Sequence, residues 1–251
     1  MATTTVDEIT AKTAVIDIEP KTGAPLKAET MKEKAEGTES KTDVGETAKD
    51  ENVAVEIEPK TGTSFPVRLD SGLELNAVGL RKKNILGIGL KIYGFGMYAD
   101  NEKLKDLLRE KIGKAPAKPT KEMYQAVIDS DVGMMVRLVI VFFGLTIGMV
   151  RKNFDEGLGA SIKKITGGQK NEELLKKVMG GASDDIKLTT GSVIEITRFP
   201  GYILQTKVKD EVVSKVESEL LCRAYFQMYL GDDTFDKDAR EKFGISLLSL
   251  F

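Results

Sequence analysis

Along this chain the spacing of apolar positions, more than their number, separates the elements. Alternation with a period of two marks half-buried strands, and recurrence every three to four residues marks helices. Strand-like runs fall at Ser64–Leu69, Ala77–Lys82, Ile88–Tyr98, Met134–Phe143, Ser192–Arg198, Tyr202–Val208 and Val212–Val216. Helical spacing falls at Asn101–Ile112, Thr120–Asp129, Ile147–Ile165, Asn171–Met179, Ser218–Leu230 and Asp236–Phe243. Asp100 and Thr146 stand where an N-cap oxygen would accept from the first free amides of a helix. Phe199-Pro200-Gly201 and Lys209-Asp210 read as turns, which makes the last three strands an antiparallel meander. Strands joined by short hairpins without a regular βαβ alternation predict an α+β fold, a large antiparallel sheet covered by helices on one face.

The first 52 residues show neither period. They hold seven lysines, no arginine and twelve carboxylates, a net charge of −5, and no aromatic residue precedes Phe65. Such a segment buries too little surface to offset its ordering entropy, so residues 1–52 read as a disordered acidic tail. Residues 53–251 then form one domain, long enough for a sizeable core. The tail has no apolar signal-peptide stretch, and its acidity, with Ser40 the first serine and Arg68 the first arginine, fits a transit peptide badly. Its string VIDIEPKTG at 15–23 returns as AVEIEPKTG at 54–62. Two copies do not make a solenoid. The echo is either a duplicated linker or a first copy that competes for the edge-strand position of the second.

The apolar run Leu138–Val150 has 13 residues between two arginines, whereas a membrane span needs roughly 20. It reads as a buried strand entering a helix, and no transmembrane segment is expected.

Composition narrows the chemistry. Among 251 residues there is no histidine and no tryptophan, and there is one cysteine. That excludes a Ser-His-Asp or Cys-His pair, His-ligated metals and an internal disulfide. The net charge of −2 gives no global field for nucleic acid. Chemistry is left to Arg, Lys, Tyr, carboxylate, amide and hydroxyl groups.

One pair has a geometry that the sequence exposes. If the turn between the second and third strand-like runs is centred on Gly87, opposed residues have numbers summing to 174, and Arg81 meets Tyr93 on one face. Lys91, Tyr93, Phe95 and Met97 then share that face, while Ile88, Leu90 and Ile92 take the other. A guanidinium beside a phenol, with apolar neighbours, suits a carboxylate or phenolate. A solvent-side cross-strand pair satisfies the same spacing, and a one-residue slip separates the two side chains. Lys82 and Lys83 read as surface charge near the turn.

Other candidates carry little. GIGLKIYGFG lacks the strand–turn–helix context of a dinucleotide loop. GDDTFDKD at 231–238 lacks the ligand spacing of a cation loop, and Asp236 reads as a helix N-cap. Asp184 and Asp185 read as turn residues, and Cys222 as a small core residue. The stripe Leu220, Leu221, Ala224, Tyr225, Met228 follows helical spacing and is either core or the roof of an apolar pocket.

GLRKK at 79–83, YGFGMYAD at 93–100, MVRKNF at 149–154 and VESELLCRAYFQMYLGDDTFD at 216–236 together resemble the chalcone isomerase family. EPKTG–SFP at 58–66 and the ending FDK–AR at 235–240 resemble its non-catalytic fatty-acid-binding branch. The resemblance implies an open-faced β-sandwich. It implies that Arg81 is the family's anion-holding arginine and that Tyr93 stands where the enzymes orient a catalytic water with threonine. Their catalytic tyrosine falls at Thr146, their asparagine at Asn153, and their pocket Ser/Thr at Met228.

What the resemblance implies, then, is non-catalytic binding of a medium- to long-chain free fatty acid. Arg81 and Tyr93 would hold the carboxylate, Thr146, Asn153, Tyr225 and Met228 would belong to the pocket, and no cofactor or metal is expected. A chalcone–flavanone isomerase and a non-catalytic partner of flavonoid enzymes stand as alternatives. The branch points to the chloroplast stroma, against a tail that lacks transit-peptide composition, so plastid and cytoplasm stand nearly level.

Overall fold

β-branched and aromatic runs pair into a six-stranded antiparallel sheet in simple sequential order. The computed structural model describes residues 54–85, 88–180, 182–183 and 186–251. The disordered reading of 1–52, the first copy of the echo, the turn centre at Gly87 and the turn at Asp184 and Asp185 lie outside those residues. A short hairpin of β1 (Val55–Ile57) and β2 (Ser64–Pro66) comes first. The sheet follows as β3 (Glu74–Ile85), β4 (Ile88–Ala99), β5 (Met134–Ile140), β6 (Val193–Phe199), β7 (Ile203–Val208) and β8 (Glu211–Glu217). The helices are α1 (Asn101–Lys111), α2 (Lys121–Asp129), α3 (Ile147–Ile165), α4 (Glu172–Lys177), α5 (Glu219–Leu230) and α6 (Lys237–Leu248).

Alternation along β4 divides the two faces. Tyr93, Phe95, Met97 and Ala99 are buried with residues of α1, α2, α3, α5 and α6 in the main core. Tyr98 points the other way and packs with Val78, Met135 and Phe65. The sheet is therefore an open-faced sandwich, helices on one side and the small β1–β2 hairpin on the other. Two glycines of the sheet permit close approaches to the layers on either side. A Cβ on Gly79 would stand 2.5 Å from Ala239 of α6, and one on Gly96 would stand 2.8 Å from the Phe65 ring.

Local chemistry explains the boundaries. Asp100 accepts from the Lys103 amide and Thr146 from the Met149 amide, so both act as N-caps. Asp236 caps α6 and also accepts from the Leu80 amide of β3 at 2.9 Å. Lys209 and Asp210 both have positive φ, 49° and 69°, which gives the β7–β8 turn the twist that suits a hairpin. Burial gives β7 a period of two and leaves one face of the meander open.

Several boundaries move from the pattern. β5 ends at Ile140 rather than Phe143, because the Val141 and Phe142 amides both turn to the Ile92 carbonyl at 3.1 Å. α6 runs on to Leu248, and β3 extends past Ala77–Lys82 at both ends. The second copy of the echo is not a linker. It forms β1 and a tight turn in which the buried Glu58 carboxylate accepts from Lys60 N, Thr61 N and Thr61 Oγ1. No described helix is long and apolar enough to cross a membrane.

Candidate functional site

Arg81 of β3 and Tyr93 of β4 are directly paired. The 174 register holds from Ala77 with Met97 through Arg81 with Tyr93. Nearer the turn the pairs are Lys82 with Lys91 through Ile85 with Ile88, one residue out. Ile92 is the extra residue, a β-bulge, and a bulge reverses the parity of the strand beyond it. The faces of the outer arm therefore differ from simple alternation. Lys91 leaves the face of Tyr93 and reaches the Lys60 carbonyl of the β1–β2 turn, while Ile92 joins Tyr93 in the cleft.

The cleft lies between the sheet and α3 and is lined by Arg81, Lys83, Ile92, Tyr93 and Leu145, with Val150, Asn153, Phe154 and Phe235 closing it. The Arg81 guanidinium carbon sits 3.7 Å from the centre of the Phe235 ring, a cation–π contact that needs no carboxylate. No carboxylate pairs with Arg81 among the described residues. The Tyr93 hydroxyl lies 3.4 Å from the Tyr229 hydroxyl. Burial raises the Tyr93 pKa above the ordinary phenol value, opposed by the bond to Tyr229 and the charge of Arg81. The phenol is thus a neutral donor at any physiological pH. Lys83 donates to Asn153 Oδ1 at 2.7 Å and lies 3.3 Å from Glu156, so it is part of the cleft wall and not merely surface charge.

Of the expected pocket residues, the structure brings Arg81, Tyr93 and Asn153 together and leaves three outside. Thr146 is committed to the N-terminus of α3, 3.2 Å from the Met149 amide. Tyr225 is fully buried, with its ring stacked on Phe154 at 6.2 Å. Its hydroxyl has no hydrogen bond of ordinary geometry, although Tyr229 is near enough to act on its ionisation. Met228 packs against α3, where its sulfur would stand 2.7 Å from a Cβ on Gly157. Tyr225 and Met228 belong to the filling behind the cleft. Phe235 and Tyr229 were missed, although both stand in the helix-and-loop string that carried the resemblance. The cavity volume is about 20 Å³, room for about one water, against roughly 300–1,000 Å³ for a formed ligand pocket.

The remaining candidates have structural partners. Asp232 and Asp233 pair with Lys121 and Lys164, and Cys222 is buried. Arg198 went unnoticed in the sequence and is fully buried. It donates to the carbonyls of Val127, Ile128 and Val132.

A sheet with helices on one face, and an uncompensated guanidinium beside a buried phenol at their seam, defines an open-faced sandwich with an anion-receptive cleft. The chain belongs to the chalcone isomerase-like family, whose model matches residues 60–243. It is 62% identical over 202 residues to chalcone isomerase-like protein 1 of Humulus lupulus, covering 80% of this chain and 94% of that one. It is 39% identical over 201 residues to fatty-acid-binding protein 1 of Arabidopsis thaliana, covering 78% and 71%. The crystal structure of that Arabidopsis fatty-acid-binding protein superposes with a TM-score of 0.74 at 38% identity, over 78% of this chain and 98% of the other.

Proposed function

We propose that this chain binds a free fatty acid without catalysis, its carboxylate held by Arg81 and Tyr93. The observation that carries the reading is Arg81 itself: a guanidinium at the end of an apolar cleft, without a carboxylate partner among the described residues, next to a protonated phenol. Burying about 12 methylenes contributes roughly 9 kcal/mol gross, before association and ordering costs. An unpaired carboxylate would cancel much of that. A fork of charged donors with one neutral donor beside it removes the penalty.

The acyl chain needs more room than the present cavity offers. It enters by opening the seam between α3 and α5, where Phe154, Tyr225 and Met228 supply an apolar wall. The relative named for fatty-acid binding supports this reading. Isomerase chemistry is disfavoured, because Thr146 is committed to capping α3 and Tyr93 adds bulk where a ring would sit.

A second reading, a non-catalytic partner of flavonoid enzymes, is favoured by one observation, the nearly closed cavity. Isothermal calorimetry with laurate separates the two. Wild-type chain binds, and Arg81→Ala, with unchanged circular dichroism, binds at least about 100-fold more weakly, the scale of losing charged hydrogen bonds. Tyr93→Phe loses about tenfold, one neutral bond. Equal laurate affinity in folded Arg81→Ala overturns the assignment, and absence of laurate binding by wild type transfers the case to the partner reading. Rapid closure of a 2′-hydroxychalcone, followed by absorbance, would overturn both.

A further inference from the structure

The mouth of the cleft carries features that the carboxylate reading leaves unused. Phe143 is 89% exposed, Ile88 65% and Met149 44%. These are large apolar side chains on three separate tips, the β3–β4 hairpin, the β5–α3 loop and the first turn of α3. The loop is tied to the hairpin arm, since the Val141 and Phe142 amides donate to Ile92. Ile92, Leu145 and Val150 line the cleft, so each tip stands on a segment that supplies part of the cleft wall.

The two segments that carry the hairpin and loop tips are basic. Residues 81–92 contain Arg81, Lys82, Lys83 and Lys91 and no acid, and residues 141–154 contain Arg151 and Lys152 and no acid. The nearest carboxylates on α3 are Glu156, which faces Lys83, and Asp155, whose pKa is raised by burial. Lys82 and Lys152 are exposed and form no ion pair among the described residues. Lys91 donates to the Lys60 carbonyl and forms no ion pair among the described residues.

We propose that this end of the molecule docks on an anionic lipid bilayer, with Phe143, Ile88 and Met149 entering the interface and Lys82 and Lys152 meeting the headgroups. Separated apolar tips accompanied by long cationic side chains match the two contributions that hold a peripheral protein at a membrane. Flexible lysines with no fixed counter-ion suit laterally mobile headgroups better than one rigid acidic partner. The choice of a bilayer also rests on the fatty-acid reading, because such a ligand partitions into membranes and the docking tips stand on segments of its cleft wall.

Co-sedimentation of the full-length chain with vesicles tests this. The expected result is binding to phosphatidylcholine vesicles containing about 30% phosphatidylglycerol, little binding to pure phosphatidylcholine, and release by about 0.5 M salt. Phe143→Glu and Ile88→Glu should each weaken partition by about tenfold or more. Both sites are exposed and outside the cleft lining, so folding and laurate affinity should hold. No binding to anionic vesicles at low salt overturns the proposal, and so does unchanged partition of both variants. A dimer dissolved by Phe143→Glu without vesicle binding also overturns it, in favour of a second copy of the chain. Vesicle binding without laurate binding refutes only the fatty-acid reading, and laurate binding without vesicle binding refutes only this one.

Discussion

Replacing Arg198 by methionine tests the buried polar node that holds α2 to the sheet. The guanidinium is fully buried and donates to Val132 O at 2.9 Å, Ile128 O at 3.1 Å and Val127 O at 3.1 Å, with Phe226 across its face at 4.6 Å. Val127 and Ile128 lie in the last turn of α2, whose carbonyls have no partner within the helix. Methionine fills most of the volume but leaves the Ile128 and Val132 carbonyls dry, each costing about 1–3 kcal/mol, while Val127 O keeps the Ser130 hydroxyl at 3.0 Å. Part of the loss is returned, because the cost of burying the guanidinium disappears. That burial, the main cause, pushes the Arg198 pKa down to about 10. The net loss expected is about 3 kcal/mol, a large share of a stability of about 5–15 kcal/mol. Arg198→Lys keeps a charge without the fork and should recover less than half of it. Urea unfolding followed by circular dichroism measures both, with the slope unchanged. A methionine variant within about 1 kcal/mol of wild type would show that relaxation or water satisfies those carbonyls, and the reasoning fails.

Two further outcomes follow from packing and burial. Burial raises the Cys222 thiol to about 12, against a smaller opposing pull from Arg198; the unfolded thiol ionises near 8.5. The folded state therefore keeps a proton that the unfolded state releases, so this contribution is complete below about pH 8.5 and is lost as pH rises, by up to about 1.4 kcal/mol per unit. Cys222→Ala should show a shallower fall in urea midpoint between pH 9 and 10 than wild type, and equal slopes would refute it. At Gly79 an added Cβ meets Ala239 and Phe95 at 2.5 Å, so Gly79→Ala should lower Tm by about 5 °C through overpacking. An unchanged Tm in a scanning calorimeter would contradict that seat for α6.

The sheet was legible because its pattern is local. Period-two alternation along Ile88–Tyr98 and β-branched Met134–Phe143 located two of its strands, and side-chain oxygens at Asp100 and Thr146 marked two helix starts. What the residues did not reveal came from distant contacts. β1 is only Val55–Ile57 and exposed along its length, so no burial pattern announces it; its existence depends on pairing with Ser64–Pro66. Arg198 ends an ordinary strand pattern, and only the approach of α2 makes it a buried node. The resemblance assigns Thr146 and Met228 to the cleft and the helical stripe offers Tyr225, yet capping holds Thr146 at the exposed start of α3 and core filling places Tyr225 and Met228 behind the cleft.

The Arg81–Tyr93 pair shows most clearly how a correct contact can rest on an incomplete reason. A ladder continued from Ile85 with Ile88 would place Arg81 opposite Ile92, and the face of Tyr93 would be out of step. The bulge at Ile92 inserts the one residue that brings Arg81 and Tyr93 level. The same bulge frees the Ile92 carbonyl for the Val141 and Phe142 amides, which turns the chain out of β5 and into the loop that leads to α3. One irregularity therefore aligns the anion-receptive pair, places Ile92 in the cleft wall and fixes where the covering helix begins. The pair and the loop that covers it share a backbone origin, so a ligand bound as proposed, by opening the α3 seam, would bear on the loop anchored to the strand of Tyr93.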